Sequence, residues 1–260
     1  VCFALYQAIK TKQFMSNFVK PSAFLIVGLI LAVGANSCNL YMTYDYGKDS
    51  MRGKSELTDT KNNKTSGLDK DYATAWSYGI AETLDLFVPN FMGGASMSKL
   101  DQNTETYKTC KKYGVSDLKN VTKSMPTYWG EQPITSGPVY IGAVVVFLFI
   151  FGLLYVEGIA KWWLAIATLF SILLAWGHNF MPLTDIFLDY FPGYNKFRTV
   201  SMILVIAEFT MPLLAIFAVK KFIEDEQKEA AFKKLCIALG ICGGLLLLLI
   251  FTAGMWSFEG

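Results

Sequence analysis

The chain has 260 residues, of which 53% are hydrophobic and 17% charged, with a mean hydropathy of +0.37 and a formal net charge of +2. One or two globular domains would fit that length, but the hydropathy points to a membrane protein instead. So small a net charge leaves no dense basic patch to neutralise phosphates, which excludes nucleic acid as a partner.

Charge is concentrated in one long central stretch and a few short ones. The blocks left free of Asp, Glu, Lys and Arg run to about 20 residues, the length a helix needs to cross roughly 30 Å of hydrocarbon. The expected fold is mainly α: a polytopic transmembrane helix bundle of five complete spans plus the end of a preceding one, with one long extracytoplasmic loop region.

Residues 1–9 read as the last turns of a preceding span. The chain opens at Val1 in an apolar stretch, without an initiator Met or a signal-peptide pattern, so a piece of a longer polypeptide is expected. Lys10, Lys12 and Lys20 follow with no acidic residue among them. Pro21 marks a helix start, and residues 23–42 form the first complete span. Gly28 and Gly34 are small enough to admit a neighbouring helix. Residues 1–40 thus hold the end of one span, a cytoplasmic linker and span one.

Residues 41–137 form the only substantial polar region, in which acidic and basic side chains balance. The run Lys61-Asn62-Asn63-Lys64-Thr65-Ser66-Gly67 has the composition of a mobile loop. Beyond it, Asp69 and Asp71 are candidate caps for an amphipathic helix near 71–88. Tyr72, Trp76, Ile80 and Leu84 recur every four residues there, with Thr74, Glu82 and Asp85 on other faces, and Pro89-Asn90 ends it. Such a helix suits either a membrane surface or a face packed on its own domain.

The uncharged run 139–156, the turn 157–161 and the return 162–177 make a transmembrane hairpin, residues 138–177, bracketed by Trp162, Trp163 and Trp176. Residues 178–198 connect it to the last two spans, 199–219 and 235–258, which enclose a cytoplasmic loop at 220–234. That loop carries five lysines against four acids. Placing it and the lysines of 10–20 in the cytoplasm puts the 157–161 turn there too. Residues 41–137 and 178–198 then share the extracytoplasmic side.

Three groups converge on that side: Arg52 with Glu56, Glu131 with Gln132, and His178 with Lys196 and Arg198. Cations, a carboxylate and aromatics at the mouth of a bundle suit an anionic lipid headgroup such as a polyprenyl phosphate. Interfacial anchoring by snorkelling Lys and Arg is the alternative. Arg198 also opens a helix whose positive end attracts phosphate. Glu208 sits within the fourth span, where an ionised carboxylate is costly, and is expected to face the protein interior beside Ser201, Leu204, Met211 and Pro212. His178, the one histidine, has either a functional role or the simpler one of capping helix carbonyls.

The five cysteines form no disulfide framework or metal-ligand spacing and read as small buried hydrophobes. No metal and no cofactor is expected. The chain has no glycine-rich phosphate loop, no His-Glu-x-x-His, no Cys-x-x-Cys and no nucleophile elbow. Asn63-Lys64-Thr65 and Asn120-Val121-Thr122 match glycosylation acceptors, a pattern short enough to arise often by chance.

The strings Tyr128-Trp129-Gly130-Glu131-Gln132-Pro133-Ile134-Thr135-Ser136-Gly137-Pro138-Val139-Tyr140-Ile141-Gly142, Ala175-Trp176-Gly177-His178-Asn179-Phe180 and Tyr194-Asn195-Lys196-Phe197-Arg198-Thr199-Val200 resemble the YfhO family of bacterial polytopic membrane proteins, in the version common in Bacteroidetes. Tyr72-Ala73-Thr74-Ala75-Trp76-Ser77-Tyr78-Gly79 and Ser50-Met51-Arg52-Gly53 agree with it. The resemblance covers most of residues 20–220. It implies a bacterial cytoplasmic-membrane protein related to glycosyltransferases that move a sugar from a polyprenyl-phosphate donor to a cell-envelope acceptor on the outer membrane face. Its partners would be that lipid-linked sugar, membrane lipids and the acceptor polymer. In such enzymes the catalytic acid lies in an early extracellular loop that this chain does not contain, so the catalytic residue is unknown. Arg52, Lys196 and Arg198 are then the expected phosphate contacts, with Glu131 and Glu208 as polar supports. A lipid or sugar transporter and a non-catalytic envelope-assembly protein are the alternatives.

Overall fold

The computed structural model describes residues 9, 15–50, 52–53, 67–226 and 228–255. Its contacts divide the chain into two compact units, Val1–Asp69 and Lys70–Gly260. The loop expected at 61–67 lies, apart from Gly67, outside the described residues.

In the first unit a π-helical turn, Met15–Val19, leads into helix α1, Lys20–Ala35, with Pro21 in its first turn. Helix α2, Ser37–Lys48, follows at a bend of 67°. The expected continuous span is therefore broken, and Asn36 is where it breaks. Its side-chain amide donates to the Ala32 carbonyl at 3.0 Å, the same oxygen its backbone N–H approaches at 3.3 Å. A side chain competing for the i−4 carbonyl is a recognised cause of helix bending.

The second unit begins with one helical turn, α3, Lys70–Ala73, followed by an irregular loop and a 3₁₀ helix, Ala81–Leu86. No amphipathic helix runs over 71–88. The loop's polar backbone groups are claimed by other elements: Tyr78 N–H donates to the Ala175 carbonyl at 2.8 Å, and Ser201 N–H donates to the Trp76 carbonyl at 3.2 Å. Those tertiary bonds satisfy groups that a helix would otherwise have paired, so they override the four-residue periodicity. Ala73, Thr74, Ser77 and Tyr78 are buried as a result.

Strand β1, Gly93–Ser98, pairs antiparallel with β2, Met125–Tyr128, with an irregularity between Gly93 and Met97. Two short helices, α4 (Glu105–Lys112) and α5 (Leu118–Val121), lie between the strands. Thr104 caps α4 by accepting from Tyr107 N–H at 3.3 Å.

The remainder is a helical bundle: α6 (Ala143–Tyr155), α7 (Ile159–Ala175), α8 (Met181–Tyr190), α9 (Val205–Glu224) and α10 (Lys228–Phe251). Helix α9 packs on α6 and α7, and α10 packs on α6. Phe151, Leu164, Leu204, Ala207, Leu214 and Ala218 are buried between them. Gly152 permits the closest approach: a Cβ there would lie 2.9 Å from Leu214 Cγ and 3.1 Å from the Leu214 carbonyl oxygen. Inside the core, the Thr168 and Thr210 hydroxyls meet at 2.7 Å, joining α7 to α9.

Among the described residues two helices, Val200–Glu224 and Lys228–Phe251, are long and apolar enough to cross a membrane. The count rises to four if each bent pair is one span: Lys20–Ala35 with Ser37–Lys48, and Ile159–Ala175 with Gly177–Tyr190 at 113°. That is fewer than the five expected. The shortfall falls on α6, whose 13 residues give only about 20 Å of helix. Its expected first turn, 139–142, is not helical, because Ile141 and Gly142 donate to the Leu86 carbonyl at 3.3 and 3.2 Å. At the other break Gly177 takes a left-handed φ of +49°, and Pro182 follows in the first turn of α8.

The two ends of this bundle differ. At one, Lys221 Nζ donates to the Tyr155 carbonyl at 3.0 Å and lies 3.3 Å from Glu157, while the Tyr155 hydroxyl donates to Asp225. The 157–161 turn and the 220–234 loop therefore share an end, as expected. At the opposite end, residues 70–142 interlock with 176–201. Of the described cysteines only Cys242 is buried; Cys38 and Cys236 are exposed on their helices.

Replacing Gly152 with Val should separate α6 from α9 and destabilise the bundle by about 1–3 kcal/mol. Thermal unfolding of the full chain in detergent, wild type against variant, checks this, and Gly240→Val, where nothing lies within 4 Å of an added Cβ, is the control.

Candidate functional site

The site is assembled on the loop 74–80, which is threaded against the end of α7. Ser77 fixes it: its hydroxyl donates to the Thr74 carbonyl at 2.6 Å and accepts the His178 backbone N–H at 2.9 Å. The fit needs Gly177, where a Cβ would lie 2.0 Å from Ser77 Oγ. With its backbone held there, His178 sets Nδ1 3.2 Å from the Thr74 carbonyl oxygen. A carbonyl can only accept, so Nδ1 carries a proton and Nε2 is the ring nitrogen left toward the open side.

That Nε2 lies 3.7 Å from Glu131 Oε2, and the two side chains are 45% and 51% exposed. Asn179 holds the carboxylate by donating to the same oxygen, and its amide also donates to the Tyr78 carbonyl at 3.2 Å. The result is a half-exposed imidazole–carboxylate pair with a fixed tautomer and an oriented acid.

Arg198 stands on the same loop. Its guanidinium carbon lies 4.3 Å from the Trp76 ring centre and 5.3 Å from that of Tyr72, and Nη1 donates to the Tyr72 hydroxyl at 2.7 Å. Trp76 is itself anchored, donating from Nε1 to the Ile134 carbonyl at 3.0 Å. Two aromatic faces hold an exposed cation in place with only one of its five N–H groups engaged to a partner among the described residues. Lys70, at the start of the loop, pairs with Asp185 at 2.5 Å and lies 3.9 Å from Asp189. The Asp185 hydrogen bond raises its pKa, against a smaller opposing effect of burial.

Behind this surface lies a buried polar network that includes Glu82 and Asp85, two residues the periodicity set off the apolar stripe of the expected helix. Glu82 is 1% exposed. One carboxylate oxygen accepts the Gly79 N–H at 2.5 Å; the other accepts the Tyr128 hydroxyl, with Gln132 Nε2 at 3.4 Å. Gln132 N–H donates back to the Tyr128 hydroxyl at 2.9 Å. Burial, and the hydrogen bond to Glu82, raise the Tyr128 phenol above its usual range. Asp85 is fully buried, and burial pushes its carboxyl up to about 6, although the Met92 and Phe91 amides oppose the shift.

The structure thus brings Glu131 and His178 together and mounts Arg198 on the same loop. Lys196 is half-buried on the 3₁₀ turn Tyr194–Lys196. Arg52 belongs to the first unit, where its backbone N–H donates to Ser50 Oγ at 3.2 Å; Glu56 lies outside the described residues. His178 does not cap the carbonyls of its own helix. Glu208 departs furthest from expectation: it is exposed, in the first turn of α9, while the buried face of that helix is Ala207, Thr210, Met211 and Leu214. The carboxylate does lie within the continuous helix Val200–Glu224, but outside the face that the helix buries. Among the described residues no group of three or more His, Cys, Asp or Glu is placed to hold a metal ion. No family model, curated protein or solved structure matches the chain.

Asp85 makes stability depend on pH. Its carboxyl holds a proton to higher pH folded than unfolded, so the native state is favoured below pH 4. That advantage, about 3 kcal/mol for the shift from 3.8 to about 6, is lost as pH rises through 6. Unfolding midpoints measured between pH 4 and 7 should fall with rising pH in the wild type and flatten in Asp85→Asn.

Proposed function

We propose that this chain is part of a polyprenyl-phosphate-sugar-using membrane glycosyltransferase, acting on a cell-envelope acceptor at the extracytoplasmic face of the bacterial cytoplasmic membrane. One observation carries the reading: the loop 74–80 fixes an imidazole through Nδ1, leaving its half-exposed Nε2 beside a carboxylate, and the same loop holds a guanidinium on two aromatic rings. Glycosyl transfer from a phosphate donor needs both parts. His178 Nε2 takes the proton of the acceptor hydroxyl as its oxygen bonds to the sugar C1, and Glu131 stabilises the imidazolium that forms. The C1–O bond to phosphate breaks, and Arg198 receives the charge on the departing lipid phosphate. The resemblance to the YfhO family supports the glycosyltransferase reading, although it implies a catalytic acid outside this chain and not His178, and Lys196, close in sequence to Arg198, is a further candidate phosphate contact.

A lipid or sugar transporter is the second reading, favoured by the helix pair Ile159–Ala175 and Gly177–Tyr190, broken at 113°. Broken helices line the substrate sites of many transporters.

Full-length protein in vesicles supplied with labelled polyprenyl-phosphate sugar separates the two. Transfer should move label from lipid to acceptor, with losses of about 10²–10³-fold in Arg198→Ala and about 10²-fold or more in His178→Ala and Glu131→Gln. Label that crosses the vesicle while remaining on its lipid would establish transport instead, and wild-type transfer by the His178 variant would remove the imidazole from the mechanism.

A further inference from the structure

Glu208 is exposed on the surface of Val200–Glu224, a helix long and apolar enough to cross a membrane. Among the described residues its side chain has no hydrogen bond and no ion pair. Its neighbours on the surface are apolar: Val205 and Phe209 are themselves exposed. Where such a helix crosses a bilayer, an exposed carboxylate meets hydrocarbon at high cost, and such groups ordinarily face protein.

The same face of α9 continues into a groove. Glu208, Pro212, Ile216, Val219 and Ile223 recur every three or four residues and so share one stripe of the helix. From Pro212 onward that stripe lines an open groove of ≈ 490 Å³, whose opposite wall is Val145 and Leu148 of α6. The groove extends over about 18 Å of helix. Its walls are apolar except at the far end, where Lys220 and Glu224 face each other at 3.9 Å. Every charge along the stripe is thus matched except Glu208.

That pattern selects the occupant. A phospholipid or polyprenyl phosphate lying in the groove with its headgroup at the Glu208 end would set an anion beside an anion. A second copy packing through the same face would pair two carboxylates. We propose that the α6–α9 groove seats a further membrane-spanning helix, one that carries a Lys or Arg opposite Glu208. The apolar stripe supplies the contact area, and the buried ion pair sets the register of one helix on the other.

The test is a photo-cross-linking amino acid placed at Ile216 of the full-length protein in native membranes, with adducts identified by mass spectrometry. The expected product is a peptide from a membrane-spanning segment with Lys or Arg at the level of Glu208. Its yield should fall about fivefold in Glu208→Leu and be kept in Glu208→Asp. Lipid adducts alone, no adduct, an adduct to the α9 face of a second copy, or a helix without a cation would each overturn the proposal. So would an unchanged yield in Glu208→Leu. If that variant fails to insert, the identity of the wild-type adduct decides the matter alone.

Discussion

The second unit depends on how the backbone of residues 74–80 is satisfied. A loop buried against a bundle must pair its polar groups or lose a kilocalorie or more for each one left over. Here the partners are supplied by elements distant in sequence: the Ala175 carbonyl, the Ser201 N–H and, through Ser77, the His178 N–H. Those bonds tie the loop to the exits of α7 and the entry to α9. They also explain why α7 stops where it does. Gly177 must be glycine for Ser77 to reach the His178 amide, and a left-handed glycine followed by Pro182 cannot continue the helix.

Four carboxylates illustrate how environment divides one chemical group among several roles. Glu82 is buried and surrounded by donors from Gly79, Tyr128 and Gln132, so it acts as a strut. Asp85 is equally buried with fewer compensating bonds, and its proton affinity rises. Glu131 is half-exposed and oriented by Asn179 beside an imidazole, the arrangement suited to moving a proton. Glu208 meets none of these conditions, which is why its face of α9 reads as unfinished.

Much of the helical content was legible in the sequence because hydrocarbon-length apolar runs leave little choice of structure. The last two spans and the pairing of the 157–161 turn with the 220–234 loop followed from composition and charge alone. What failed was locally ambiguous. Tyr72, Trp76, Ile80 and Leu84 have helical spacing, yet Trp76 and Tyr78 are held by partners more than fifty residues away, and no local pattern encodes those bonds. The run 23–42 looked like one continuous span, whereas the Asn36 side chain turns back on the Ala32 carbonyl where the helix bends. The run at 139–156 looked like a full span, but its first residues are claimed by the Leu86 carbonyl. Glu208 was expected to face the protein interior, but the helix buries Ala207, Thr210, Met211 and Leu214 and leaves the carboxylate outside that face.

The candidate site was legible as a set of residues but not as an arrangement. His178, Glu131 and Arg198 could be assigned to one end of the bundle by counting spans, and the same count grouped Arg52 with them without any means of testing contact. The chemistry, however, resides in what the count cannot supply: which ring nitrogen holds the proton, and which surface holds the guanidinium. Both are decided by the loop, through the Thr74 carbonyl and the ring of Trp76. Those two contacts lie two residues apart, so a shift in the loop would disturb the imidazole and the cation together. A protein needing base and anion contact in fixed relation gains from such coupling, because neither group can be misplaced without the other.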